Sequence, residues 1–134
     1  MKNILTKRNF KNNKKKHILL VDGGLNIGKL LNFILAPEYQ LTIKTNGLEA
    51  LSWLQEGNDP NLVISSLRMP YLDGGTFLQS LKHSGLYRNT PVILLSGEEN
   101  LEEKVKQMAF KIDGYMEKPF NPTILKNQIS SLIV

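Results

Sequence analysis

The sequence predicts an α/β fold: one doubly wound parallel sheet of five strands, with helices on both faces. Three observations predict it. Short apolar runs alternate with longer stretches whose apolar residues recur every three or four positions, and this rhythm repeats five times. The connections are short and marked by Gly, Pro, Asp and Asn. Most of the apolar runs are continuous rather than alternating, as in strands buried on both faces.

His17–Val21 reads as the first buried strand, closed by the turn Asp22-Gly23-Gly24. Ile27, Leu30, Leu31 and Ile34 carry a helix that ends at Ala36-Pro37, because proline restricts the residue before it. Leu41 and Ile43 alternate with Gln40, Thr42 and Lys44, the pattern of a half-exposed edge strand. Asn46-Gly47 opens a short helix with Leu48, Leu51 and Leu54, ended by Gly57. Leu62-Val63-Ile64 is the third strand, and Phe77, Leu78 and Leu81 form a helix after the Asp73-Gly74 turn. Val92–Leu95 follows Pro91 as a buried strand. Leu101, Val105, Met108 and Ala109 make a helical stripe, Ile112–Met116 a weaker strand, and Leu125, Ile129 and Leu132 a closing helix.

At 134 residues, with 41% apolar and 22% charged residues, the chain suits one globular domain. It has no cysteine, which excludes disulfides, thiolate metal sites and thiol nucleophiles. The longest apolar run near the N-terminus, Ile18–Val21, is too short for a signal core or a membrane span. A soluble, unexported, cytoplasmic protein with no membrane association is expected. The net charge of +5 is concentrated in residues 1–16, which hold Lys2, Lys7, Arg8, Lys11, Lys14, Lys15 and Lys16 and no acid. Residues 17–134 then carry ten Lys/Arg against twelve Asp/Glu. The expected organisation is a basic N-terminal tail, 1–16, followed by a domain, 17–134. The tail reads as a solvated segment, and nucleic-acid contact through it is the alternative.

In a sheet of this type the functional crevice lies at the carboxyl ends of the strands. Those ends carry Asp22, Ser66, Ser96 and Lys118. The segments Ile18–Asp22, Leu62–Pro70 with Asp73-Gly74, Pro91–Gly97 and Gly114–Phe120 resemble the response-regulator receiver family in order and position. The resemblance covers nearly all of 17–134 and implies a flavodoxin-like three-layer sandwich with strand order 2-1-3-4-5. It also implies two-component, or phosphorelay, signalling. There, an aspartate ending the third strand takes a phosphoryl group from a histidine kinase, assisted by magnesium. A Ser/Thr after the fourth strand and a Lys before a proline, here Ser96 and Lys118, bind the phosphoryl oxygens.

Two positions depart from that pattern. Ser66 stands at the place of the acceptor aspartate, and Gly23 at that of the second acid beside Asp22. A serine hydroxyl without an activating base stays protonated at neutral pH, and magnesium prefers several anionic oxygens. With only Asp22 and the Arg68 carbonyl left, no metal or at most a weak one is expected. An Asp22–Lys118 contact is expected in its place, with Ser66 and Ser96 alongside. No enzymatic activity and no catalytic residue are expected. The bland reading of Ser66, a satisfied strand-end hydroxyl, stands beside this one.

Gly23–Lys29 nearly fits a phosphate-binding loop, but Leu30 lacks the hydroxyl and the helix already runs through Gly28 and Lys29. His17 and His83 read as surface histidines, with His17 at the far end of the sheet from Ser66. Trp53 and Phe77 read as packing residues. The resemblance further implies a cis Lys118-Pro119 bond and a switch or interaction face offering Lys104, Phe110, Lys111, Tyr115 and Glu117. The expected protein is thus a stand-alone pseudo-receiver acting by contact with a histidine kinase, another receiver (a homodimer included) or an effector. A phosphoaccepting receiver with a non-standard site is the alternative.

Overall fold

The computed structural model describes residues 15–69 and 71–133. Strands β1 (His17–Val21), β2 (Gln40–Lys44), β3 (Leu62–Ser65), β4 (Val92–Ser96) and β5 (Gly114–Glu117) alternate with five helices. These are α1 (Leu25–Leu35), α2 (Gly47–Gln55), α3 (Gly74–His83), α4 (Leu101–Lys106) and α5 (Pro122–Leu132). All strand pairs are parallel, in the order β2-β1-β3-β4-β5. The expected topology is the observed one.

Successive side chains of a strand point to opposite faces, and this splits the core in two. Leu19, Val21, Val63, Val92 and Leu94 face one side, where Ala50, Leu54, Phe77, Leu78, Leu81 and Leu101 of α2, α3 and α4 cover them. Ile18, Leu20, Leu62, Ile64, Ile93 and Leu95 face the other, under Leu31, Leu35, Leu125 and Ile129 of α1 and α5. Continuous apolar strands are required because both faces are buried. β2 and β5 are the edges and are only partly covered.

Helices α2, α3 and α5 start where polar side chains satisfy their first amides. Asn46 accepts from the Glu49 amide at 2.9 Å, Asp73 from Thr76 at 2.8 Å, and Asn121 from Thr123 and Ile124. Two expected stripes are revised. Leu48 is 53% exposed, and Ala50 takes its place in the core. The helix expected through Met108 and Ala109 stops at Lys106. Its N-cap, Asn100, is left-handed and supplies no side-chain cap, and the Met108 amide bonds the Val105 carbonyl in a tight closing turn. Met108, Phe110 and Ile112 then pack on the core from a loop. The last strand begins at Gly114, not Ile112, after Asp113 exchanges two bonds with the backbone of Val92.

Residues 1–14 of the expected tail lie outside the described residues. Its last two already engage the domain: the Lys15 ammonium donates to the Ala36 carbonyl, and the Lys16 carbonyl accepts from Gln40. No described helix is long and apolar enough to cross a membrane. His17 is half-buried rather than on the surface, with its ring 2.6 Å from the Thr42 hydroxyl and edge-on to Trp53.

Candidate functional site

The parallel ladder brings four chain segments to one mouth. The Asp22 amide bonds the Lys44 carbonyl, Ser66 bonds Val21, and Lys118 bonds Ser96, so Asp22, Ser66 and Lys118 each sit one step past a strand and Ser96 ends β4. Asp22, Ser66 and Ser96 are buried, and Asp22 is the only buried carboxylate among the described residues. Gly74 permits this packing at β3. A Cβ there would lie 1.9 Å from the Ser66 carbonyl oxygen, so only glycine lets α3 start against the strand end.

Lys118 Nζ donates to Asp22 Oδ2 at 2.7 Å, and the side chains are 30% and 5% exposed. The other carboxylate oxygen, Oδ1, accepts the Gly24 amide at 2.8 Å. The contact expected from the sequence is therefore present. Ser66 Oγ lies 3.4 Å from the Arg68 carbonyl, long for a hydroxyl bond, and the Lys118 ammonium bonds Asp22 rather than Ser66. Ser96 Oγ accepts the Glu98 amide at 3.1 Å. The Lys118-Pro119 bond is cis. Gly23 is exposed and brings no side chain. Gly28 is buried inside α1, so the near-match to a phosphate-binding loop has no loop to form.

A cleft of about 550 Å³ opens above these residues, lined by Ser66, Arg68, Ser96, Glu98, Lys104 and Lys118. Glu98 was not legible in the sequence. One of its oxygens meets Arg68 Nε at 2.6 Å and the other Lys104 Nζ at 2.7 Å, with the Glu98 side chain 16% exposed. The hydrogen bond from Lys104 holds its carboxyl below the usual carboxylate range; burial opposes this, and Arg68 adds to it. Arg68 and Glu98 are 30 positions apart on different loops, so no spacing rule could have paired them.

The expected switch face divides. Lys104, Lys111 and Glu117 are exposed, but Lys104 turns to Glu98 and Lys111 lies 3.8 Å from Asp113. Phe110 and Tyr115 are half-buried and pack against the core cluster under α2, α3 and α4. They are packing residues first, with only part of each ring left for a partner.

The sequence matches the response regulator receiver domain over residues 18–130. The chain belongs to that family. This receiver domain is 31% identical over 119 residues to the transcriptional regulatory protein PcoR of Escherichia coli, covering 88% of this chain and 51% of PcoR. It is 35% identical over 108 residues to the transcriptional regulatory protein YkoG of Bacillus subtilis, covering 80% and 46%. The chain thus spans about half the length of these relatives. Among solved structures, the chemotaxis response regulator CheY4 of Vibrio cholerae superposes with a TM-score of 0.79 at 26% identity, covering 90% of this chain and 100% of that one. The signal receiver domain of an HD domain-containing protein from Pseudomonas fluorescens gives 0.79 at 30% identity, covering 90% and 95%. The receiver fold and the place of the domain in two-component signalling follow from these matches.

Proposed function

We propose that this receiver domain is a pseudo-receiver, which signals by protein contact without accepting a phosphoryl group and without enzymatic activity. One observation carries the reading: Ser66 stands at the acceptor position, and the sole buried carboxylate of the site, Asp22, is bound to Lys118 at 2.7 Å. Acyl-phosphate formation needs an ionised carboxylate oxygen to attack phosphorus, and a neutral hydroxyl with no base in contact is a poor substitute. The donor set does not fit magnesium either. Both oxygens of Asp22 are engaged, Gly23 adds none, and among the described residues no three His, Cys, Asp or Glu gather into a metal-binding group.

The partner on this reading is a two-component protein in the cytoplasm: a histidine kinase, another receiver or an effector. A sensor histidine kinase of Ectopseudomonas mendocina, TmoS, is among the relatives at 26% identity. Intact-mass measurement after incubation with a small phosphodonor and excess magnesium tests the reading. No gain in mass is expected. Stoichiometric gain of one phosphoryl group overturns it.

A further inference from the structure

Glu98 joins three parts of the molecule by polar contacts, beside the apolar packing that Leu67, Met69, Leu94, Leu101 and Val105 already supply. Its carboxylate spans Arg68, in the β3–α3 loop, and Lys104, on α4, while its own amide is held by Ser96 Oγ at the end of β4. The two ion pairs differ from ordinary surface pairs in one respect. Both oxygens of a side chain only 16% exposed are occupied at short distance, although Arg68 and Lys104 are themselves 84% and 43% exposed and their arms are open to screening by salt. Asn100, two residues on, already sits in the left-handed region at φ 58° and leaves the first turn of α4 without a side-chain cap. Leu101, the first residue of α4, is fully buried in the core, so the loop is fixed at that end by packing and at the other by Glu98.

We propose that Glu98 is a positioning residue that latches the β4–α4 loop and α4 over the pocket, setting the shape of the α4–β5 face with no bound group. It rests on the pseudo-receiver reading only in taking the pocket as one that no phosphoryl group enters. Ser96 and Lys104 are both committed to this latch, and Lys118 is committed to Asp22. The chain supplies from within the anion that draws the loop inward. A partner carrying its own carboxylate or cation beside Arg68 could open the latch by competing for one arm.

Hydrogen exchange read by mass spectrometry tests this on the full chain, comparing wild type, Glu98→Gln, Arg68→Gln and Lys104→Gln. Glu98→Gln is expected to raise exchange over residues 97–107 by about fivefold or more, while β1 and β3 stay within twofold; each cation variant gives part of that rise. High salt should raise exchange in wild type and leave Glu98→Gln unchanged, a response that a merely packed side chain would not give. Exchange within twofold of wild type over 97–107 overturns the proposal. A rise shared equally by β1 and β3 overturns it too, because it reports global loosening. The phosphodonor mass measurement is independent. Mass gain with the latch response intact sinks the pseudo-receiver reading alone, whereas no gain and a silent Glu98→Gln sinks the latch alone.

Discussion

Replacing Asp22 with Asn tests the electrostatics of the pocket by its sign. In a site crowded with carboxylates, neutralising one relieves repulsion and raises stability. Here Asp22 has no buried acidic neighbour among the described residues and holds Lys118 at 2.7 Å. A charge-assisted hydrogen bond of this kind contributes about 1.5–3 kcal/mol. Lys118 is 30% exposed and can recover water when released, so the lower half of that range applies, about 1.5–2 kcal/mol. Near-isosteric Asn can still accept the Gly24 amide, which confines the loss to the ion pair. In a domain of this size each kcal/mol moves Tm by about 3–5 °C, so a fall of about 5–10 °C is expected. Thermal melts at pH 7 in low salt, with and without magnesium chloride, provide the assay. The double variant with Lys118→Met should show coupling of about 1 kcal/mol or more, because the residues touch. An Asp22→Asn protein as stable as wild type or more so would refute the reasoning, as would a wild-type Tm that climbs with magnesium, since a ligand that binds the native state stabilises it.

Gly74→Ala places a methyl group 1.9 Å from the Ser66 carbonyl oxygen, so β3 or α3 must shift; urea melts should show a loss of about 1–3 kcal/mol. The Tyr87 hydroxyl lies 3.0 and 2.7 Å from the carbonyls of Leu54 and Asn58 and shares its one proton between them, and burial raises its pKa. Tyr87→Phe removes this tie between the end of α2 and the segment after α3, at a cost of about 1–2 kcal/mol in the same assay. Glu98 has its carboxyl pKa lowered by Lys104 and Arg68 in the folded state. Its contribution is therefore present above the ordinary carboxylate value and lost as pH falls through the lowered one. Stability measured from neutral to acid pH should fall less steeply in Glu98→Gln than in wild type, and parallel curves would count against that assignment.

The strands were legible because burial on both faces leaves a crude mark: a run such as Ile18–Val21 has no polar position to misread. Helix faces were less legible where apolar residues outnumber core positions. Leu48 and Leu30 fit a helical stripe as well as their buried neighbours do, yet are 53% and 45% exposed. The end of α4 was illegible for a different reason. Periodicity from Leu101 continues to Met108, which packs from a loop, and packing does not require helical backbone, while Ala109 is exposed. The left-handed Asn100 was a signal of sorts, since Asn is the residue most often found there after glycine, but one residue does not set a helix length.

The site divides along the same physical line. Asp22, Ser66, Ser96 and Lys118 could be placed together because each ends a strand, and a parallel sheet delivers strand ends to one side. The Asp22–Lys118 contact then follows from charge, as a buried carboxylate and a neighbouring ammonium find each other when nothing else competes. Glu98 was missed because its position depends on loop conformation rather than on a strand. Lys104 is exposed on α4 as the sequence suggests, but its contact with Glu98 was not legible for the same reason: helical position gives a residue's angle around α4 but not where a four-carbon stem reaches. What composition could not convey is that three cations lining the cleft have internal anions, Lys118 with Asp22 and Arg68 with Lys104 sharing Glu98. An outside anion entering the cleft therefore meets cations that already hold a carboxylate.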